Sequence, residues 1–462
     1  MTTAIDAPCL PGKPAPREIW GQPRGLAYIA FTEAWERFSF YGMQALLVLY
    51  MAGHLLQPGN IEAVWGFATF RGGIESITGP LSTQALASQI FGLYVGLIYF
   101  TPVLGGLLGD KVTGRKRAVL AGACLMAIGH FLMALEAAFL PALGTLILGA
   151  GLLKGNLAAQ VGDLYEKNDS RRDGAFTIYC TAINVGATIA PLVCGTLGEL
   201  YGWHYGFGAA GIGMLVGIVI YLAGYRHLPP ENEAIERGDK PSLAPGDGRV
   251  IIAILIVLSI TALYWIAQAQ VWNTYPLWLR DHVDRDVLGW SVPVTWFQSL
   301  DSLAVLMLAP VMILAWRKQA KRSTEPTELS KIAIGCCAFA AACLLLSIGQ
   351  AVAGDGQVAL VWPVAFHFLC AIGYLYVAPI ALALVSRDAP AAVNAMMVGA
   401  YYLGIFIGGI GSGWLGRFYE PLGPLGFWML HAAVVASGAL FVLLLRQWLV
   451  SMLRSNDTRA RH

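Results

Sequence analysis

Five ionisable side chains stand inside long apolar runs, where a chain rarely tolerates charge. Glu33, Glu36 and Arg37 lie in Glu33-Ala-Trp-Glu36-Arg37-Phe-Ser-Phe40-Tyr41-Gly42, Lys154 in Gly149-Ala-Gly-Leu-Leu-Lys154-Gly155, and Asp301 in Trp296-Phe-Gln-Ser-Leu-Asp301. Spacings of three and four put the first trio on one helix face, with Glu33 and Arg37 as an i, i+4 pair. A charge within a membrane span costs about 2.5–3.5 kcal/mol on insertion scales, so such residues face partners or a watery cavity and mark ion, proton or substrate paths. A solvated salt-bridge stripe would explain the trio only on a surface, and its flanks are apolar and aromatic. Lys154 precedes the polar Gly162-Asp163 by about 12 Å of helix, too far to snorkel comfortably. A structural partner for a first-helix carboxylate is the plain alternative to a functional role for it, and would not exclude one. The five formal charges sum to −1, so one shared cavity would hold an odd carboxylate able to take up a proton. His130, His204, His367 and His431 also lie in or near apolar runs. Each reads first as a satisfied core residue, and His367 is the one to test for proton transfer. No metalloprotease motif, P-loop lysine or nucleophile elbow is present.

The elements that must hold these residues follow from composition. Of 462 residues, 57% are hydrophobic, 13% are charged and 53 are Gly, and the mean hydropathy is +0.61. Soluble chains carry about 25% charged residues, so a polytopic membrane protein is indicated. The net charge of +2 excludes an electrostatic nucleic-acid binder. Seven of the eight Cys lie in apolar runs without metal-ligand spacing, and Cys9 lies near the N-terminus. No cleavable signal peptide is apparent before the first apolar run, which is expected to serve as the targeting signal.

A bilayer-spanning helix needs about 20 mainly apolar residues. Such runs lie near 26–52, 86–108, 118–136, 138–162, 174–197 and 205–225, and again near 250–275, 290–315, 330–351, 358–385, 391–415 and 424–450. Expected from this are a cytoplasmic tail (1–25), a six-helix bundle (26–225), a polar cytoplasmic linker (226–249), a second six-helix bundle (250–450) and a short tail (451–462). With the N-terminus inside, 24 of the 30 Lys and Arg fall on the inside and four outside, while Arg37 and Lys154 fall within spans. That bias places both termini in the cytoplasm. The expected fold class is therefore an all-α membrane protein with 12 transmembrane helices. Phe100-Thr-Pro102-Val in the second run and Leu308-Ala-Pro310-Val in the eighth form a faint internal echo. The Gly pairs Gly105-Gly106 and Gly408-Gly409 suit close helix packing and rocking.

Two six-helix bundles with an inside linker resemble the major facilitator superfamily, in which the substrate site lies between the halves near the midplane. Glu33-x-x-Glu36-Arg37-Phe38-x-x-Tyr41-Gly42 resembles the first-helix signature of the proton-dependent oligopeptide transporters. Phe176-Thr-Ile-Tyr179-Cys-Thr-Ala-Ile-Asn184-Val-Gly-Ala187, with Pro191 and Gly202-Trp203 beyond it, resembles the fifth-helix signature. Gly106-Leu-Leu-Gly-Asp110-Lys-Val-Thr-Gly114-Arg-Lys-Arg117 resembles the superfamily loop, and Lys154 the family's fourth-helix lysine. The likeness is strong over 26–225 and thinner over 250–450.

The resemblance implies proton-coupled symport of small peptides or peptide-like compounds into the cell, by alternating access across the cytoplasmic membrane. No cofactor is implied beyond the proton as coupling ion. Partners would be a small-molecule substrate, protons and the bilayer. Proton and carboxylate handling would fall on Glu33, Glu36, Arg37 and Lys154. Substrate contacts would fall on Arg37, Tyr41, Tyr99, Lys154, Asn184, Trp265 and Asp301, joined by the aromatic additions Tyr374 and Tyr401, with Tyr376 and Tyr402 nearby. Five positions depart from the family pattern. Phe40 replaces the first Tyr of a pair. Gln44 stands for an Arg, and Ala269 for the seventh-helix Glu thought to pair with it. Asp301 stands for an Asn, and Tyr374 for the tenth-helix Glu that holds a peptide's amino group. Either Asp301 takes the cationic end, or the substrate lacks a free amine or is a bulkier peptide-derived metabolite. A non-peptide transporter of the same fold, and more remotely a membrane enzyme or receptor, are the competing readings.

Overall fold

The computed structural model describes residues 18–19, 21–166, 169–230 and 243–453. Most of the N-terminal tail, Lys167, half of the polar linker and the end of the C-terminal tail lie outside the described residues. Twelve helices of 18 residues or more follow the twelve apolar runs. The first six are α1 (Arg24–Tyr50), α2 (Thr83–Leu108), α3 (Arg115–Leu132), α4 (Phe139–Asp163), α5 (Arg172–Ala190) and α6 (Trp203–Gly224). The others are α7 (Asp247–Ala269), α8 (Val294–Lys321), α9 (Glu328–Ala353), α10 (Val361–Asp388), α11 (Asn394–Gly416) and α12 (Tyr419–Leu453). Ten of them are long and apolar enough to cross a membrane. The other two are α1, which carries Glu33, Glu36 and Arg37, and α3, which opens Arg115-Lys116-Arg117.

Local chemistry sets several ends. Ser82 caps α2 by accepting from the Ala85 amide at 3.2 Å, and Thr327 caps α9 by accepting from the Ser330 amide at 3.4 Å. Pro191 opens a wide turn (Pro191–Gly195) that closes α5. Gly423, at φ +64°, breaks the start of α12 and leaves Pro424 to begin its regular stretch. A helix not expected from hydropathy, Phe67–Thr78, lies in the chain between α1 and α2.

The same packing recurs in the first and last six helices. In the first, α1 packs on α5 and α6, α4 on α2 and α3, and α3 on α6. In the last, α7 packs on α11 and α12, α10 on α8 and α9, and α9 on α12. The echo of Pro102 and Pro310 thus falls on equivalent helices, α2 and α8.

The halves meet along two seams, α2 with α11 and α5 with α8. On the first seam backbones nearly touch: a Cβ on Gly92 would lie 2.6 Å from the Gly409 oxygen. Of the predicted glycine contacts, Gly105 packs on Gly151, Gly408 on Trp265 and Gly409 on Gly96, whereas Gly106 meets open space. The hydrogen bonds between the halves cluster at one end of the molecule. There Glu199, just beyond α5, accepts from the amides of Val294 and Thr295 at 2.9 and 2.8 Å and from the Thr295 hydroxyl at 2.7 Å. A carboxylate of the first half thereby caps α8 of the second, where the free amides and the helix dipole favour negative charge. The Trp296 indole donates to Thr196 at 2.7 Å, the Asn273 amide to the Ser88 carbonyl at 3.3 Å, and Arg417 to the Thr78 carbonyl at 2.8 Å. Glu199→Ala is expected to lower stability by about 1–2 kcal/mol, the scale of a lost helix cap. Glu199→Gln should retain part of that loss, as read by thermal unfolding of the purified protein in detergent.

Candidate substrate and proton site

The trio on α1 turns inward. Glu33 and Glu36 are fully buried, and Arg37 is 8% exposed. The approach of α5 makes room for nothing larger than hydrogen beside Arg37: a Cβ on Gly186 would meet the Ala34 oxygen at 2.3 Å and Arg37 Cβ at 3.0 Å. Arg37 Nε donates to Glu33 Oε1 at 2.7 Å. Glu36 Oε2 lies 2.9 Å from the same nitrogen, yet neither Glu36 oxygen accepts a hydrogen bond among the described residues. Lys154 Nζ of α4, 9% exposed at the residue level, also has no hydrogen-bond partner there. It sits 3.8 Å over the Phe40 ring and 5.2 Å from the Tyr99 ring, and Arg37 lies 5.8 Å from the Phe40 centroid.

Phe40 is therefore a platform for both cations. An aromatic face attracts a desolvated cation by about 2 kcal/mol or more. The departure from the family Tyr keeps that face and drops a hydroxyl. Glu33, Glu36, Arg37 and Lys154 carry two charges of each sign, so the cluster is neutral overall while several of its polar atoms lack partners. Tyr94 of α2, whose buried hydroxyl is also unpartnered, neighbours Glu36, and Tyr179 of α5 neighbours Glu33 and Arg37. Sequence reading assigned neither a role.

Tyr41 links this cluster to the second half. Its electrostatic neighbours are Tyr99 and Arg37 on one side and Tyr374 and Asp301 on the other, and its ring lies 5.1 Å from that of Trp272. Tyr402 of α11 also faces Arg37 and Glu33. Trp265 of α7 packs edge-on to Tyr374 and Tyr401, at 6.4 and 6.3 Å. Tyr401 is buried and its hydroxyl donates to the Ala378 carbonyl at 3.3 Å, so it backs Trp265. Tyr374 and Tyr402 stay more than a third exposed. Tyr376 packs on Trp316 at 5.3 Å, among helices of the second half. Asn184 donates to the Cys180 carbonyl at 2.9 Å and remains partly open.

Asp301 does not join the four charges in one cluster. It lies on α8, where Gln268 of α7 donates to it at 3.5 Å and His367 Nδ1 stands 3.9 Å away. The odd carboxylate of the five-charge set expected from the sequence thus stands in the second half, with no ion pair to Arg37 or Lys154 among the described residues. Among the histidines, His431 is the satisfied core residue expected, contacting the Phe427 carbonyl at 2.9 Å and Gln270 at 3.0 Å. His204 is exposed against Tyr205. His130 and His367 are fully buried with no hydrogen-bond partner among the described residues.

Replacing Phe40 by Leu should remove the platform under Lys154 and lower stability by about 1–2 kcal/mol. Phe40→Tyr, which keeps the ring, should cost clearly less in the same thermal-unfolding measurement.

Comparison with known proteins gives this geometry a family. The POT family model (PTR2) matches residues 116–239 and 245–419. The chain is 30% identical to the peptide transporter YePEPT of Yersinia enterocolitica, covering 94% of this chain and 96% of that protein. It is 27% identical to the di-/tripeptide transporter of Lactococcus lactis, covering 84% and 88%. Among solved structures, a mutant of the peptide transporter POT in complex with alafosfalin superposes with a TM-score of 0.81 at 28% identity, over 95% of this chain and 97% of that one. A POT family transporter in complex with 5-aminolevulinic acid gives 0.80 at 25% identity, over 94% and 98%. The family model, the curated relatives and the shared fold agree that this chain belongs to the POT family of peptide transporters, as a multi-pass membrane protein and not an enzyme.

Proposed function

We propose that the protein is a proton-coupled symporter that imports small peptides or peptide-like compounds across the cytoplasmic membrane. Its twelve long helices form two six-helix bundles, over 26–225 and 250–450, with both termini in the cytoplasm. The reading rests above all on one observation: a buried ammonium, Lys154, and a buried carboxylate, Glu36, stand without hydrogen-bond partners beside the Arg37–Glu33 pair. Buried polar groups are almost always satisfied, and orphaned ones belong where function brings a partner. A substrate carboxylate or other anionic group fits Lys154 and Arg37. A proton on Glu36 then restores charge balance in the first half. Anion and proton each lower the cost of burying the other, which is the thermodynamic content of symport.

Tyr41 and Tyr99 line the anion end, with Asn184 on α5. Trp265, Tyr374 and Tyr401 form the aromatic wall opposite, and Asp301 faces a cationic end of the substrate. The latch around Glu199 lies, by the distribution of basic loops, at the outer face. With that end joined, the arrangement fits an inward-facing state of alternating access in which the halves rock about the α2–α11 seam.

A second reading is favoured by the ring of Tyr374 in place of a tenth-helix carboxylate. A bulkier or flatter peptide-derived substrate would stack there. A related POT structure holds a thioalcohol-conjugated peptide.

Lys154→Ala and Glu36→Gln are each expected to abolish concentrative uptake driven by an inward proton gradient in proteoliposomes. Intact concentrative uptake in both would refute the coupling assignment. Asp301→Asn should weaken amine-bearing substrates by about 1–3 kcal/mol, the scale of a lost charged hydrogen bond. A thermal-shift panel of dipeptides, acylated dipeptides and bulkier conjugates separates the two readings, since dipeptides stabilise the protein only under the first.

A further inference from the structure

The charge pattern leaves one acid unexplained. Glu33, Glu36, Arg37 and Lys154 balance within the first half, whereas Asp301 has no Lys or Arg within ion-pair distance among the described residues. Its side chain is 16% exposed, so Asp301 borders the space between the halves. Behind it, His367 is fully buried, with both ring nitrogens unpartnered and Nδ1 3.9 Å from Asp301 Oδ1. Aromatic rings enclose the imidazole, with Tyr275 and Phe366 edge-on at 5.2 and 5.3 Å. The titratable groups facing the pair are Tyr264 of α7, Tyr275, Cys370 and Tyr374 of α10, and Tyr41 across the seam. Cys343 of α9 lies beyond Cys370. None of these can be a cation. The amide of Gln268 reaches Asp301 only at 3.5 Å, and its own oxygen accepts from Tyr264 at 3.2 Å, which fixes its orientation.

We propose that Asp301 and His367 form a second proton-binding site, housed in the second half and separate from the Glu33–Glu36 cluster. A proton arriving from cavity water reaches Asp301 first, because His367 has no exposed surface. The imidazole lone pair on Nδ1 then accepts it, so that an imidazolium faces a carboxylate. Release reverses the path: the proton leaves Nδ1, passes over Asp301 and returns to water. Both partners stay in place, and no co-reactant is needed. Unloaded, the pair is a lone anion beside a neutral ring. Loaded, it is neutral overall and needs no cation from the substrate. The site therefore has two ways to reach neutrality, a bound proton or a bound amine, and a substrate without an amine would be carried with the proton instead. This rests on the symport reading above, and the test separates the two.

The full-length chain, reconstituted in phosphatidylethanolamine and phosphatidylglycerol vesicles, is examined by infrared difference spectroscopy between mildly alkaline and mildly acidic buffer, with no substrate present. The wild type should give paired carboxyl and imidazole signals that Asp301→Asn and His367→Gln each remove and Glu36→Gln retains. Persistence of the signals in Asp301→Asn overturns the proposal, and that variant decides the matter even if His367→Gln fails to fold. In the same vesicles, flux of dialanine and of N-acetyl-dialanine, which has no amine, at a series of opposing proton gradients reads the number of protons moved per substrate. His367→Gln should lower it by one for N-acetyl-dialanine and leave it unchanged for dialanine, and an unchanged ratio for the acetylated peptide overturns the proposal. A wild type that moves dialanine without protons, or not at all, counts against the symport reading, while the infrared signals still decide the pair.

Discussion

Everything in the first half is arranged around one constraint: an ionised side chain out of water must be compensated by opposite charge, hydrogen bonds or a polarisable face. Arg37 has Glu33 at 2.7 Å and the Phe40 ring nearby. Lys154 has the rings of Phe40 and Tyr99 as close neighbours among the described residues, and is balanced at longer range by the carboxylates. Such an arrangement is neutral yet unsaturated, since Glu36 and Lys154 retain free hydrogen-bonding capacity in a dry setting. Two features of the backbone make it possible. Gly186 lets α5 come against α1 at the level of Arg37, and a Cβ on Gly42 would collide with Cys194 Sγ at 2.5 Å where the wide turn after α5 meets α1. The glycines of the two signatures thus serve the charges between them.

The joining of the halves has a different chemistry. Without a hydrophobic drive in lipid, the α2–α11 seam relies on backbone approach through Gly92, Gly96, Gly409 and Gly413. A seam of that kind tolerates small rotations, because few side chains interlock across it. The contacts at the end of the molecule are of the opposite kind. The Glu199 carboxylate on the α8 amides, Trp296 on Thr196 and Arg417 on Thr78 are discrete polar bonds, made or lost as units. Under the alternating access proposed above, the first would serve as a hinge-like surface and the second as a releasable catch, the two parts a bistable element needs.

What could be read from the sequence was what is local along the chain. Twelve helices follow from runs of about 20 apolar residues, and the inward face of α1 from the spacing of Glu33, Glu36 and Arg37. Even the faint proline echo proves to mark equivalent helices. What could not be read depends on partners far apart. Glu199 and Val294 are 95 residues distant, and nothing local to either announces a cap. Phe40 looked like a lost hydroxyl, and only the position of Lys154 reveals an occupied ring face. The Tyr quartet looked uniform, yet Tyr374 and Tyr402 line the space between the halves, Tyr401 supports Trp265, and Tyr376 packs against Trp316. Hydropathy also passed over the Phe67–Thr78 helix, whose end holds Arg417.

The departures from the family pattern become coherent once the charges are placed. Gln44 and Ala269 stand where an Arg and a Glu would pair, so neither leaves a charge stranded. One residue before Ala269, Gln268 turns toward Asp301 instead. Among the described residues, the acid of the second half that neighbours Tyr41 and Tyr374 is thus Asp301, on α8 and not on α7 or α10, with a buried imidazole behind it. A glutamate at 374 would have stood near Asp301, two like charges disfavouring each other in low dielectric. Tyr374 avoids that repulsion and gives Trp265 an aromatic neighbour. On the proposed reading, in which Asp301 faces the cationic end of the substrate, the ring in place of a tenth-helix carboxylate follows from where Asp301 sits.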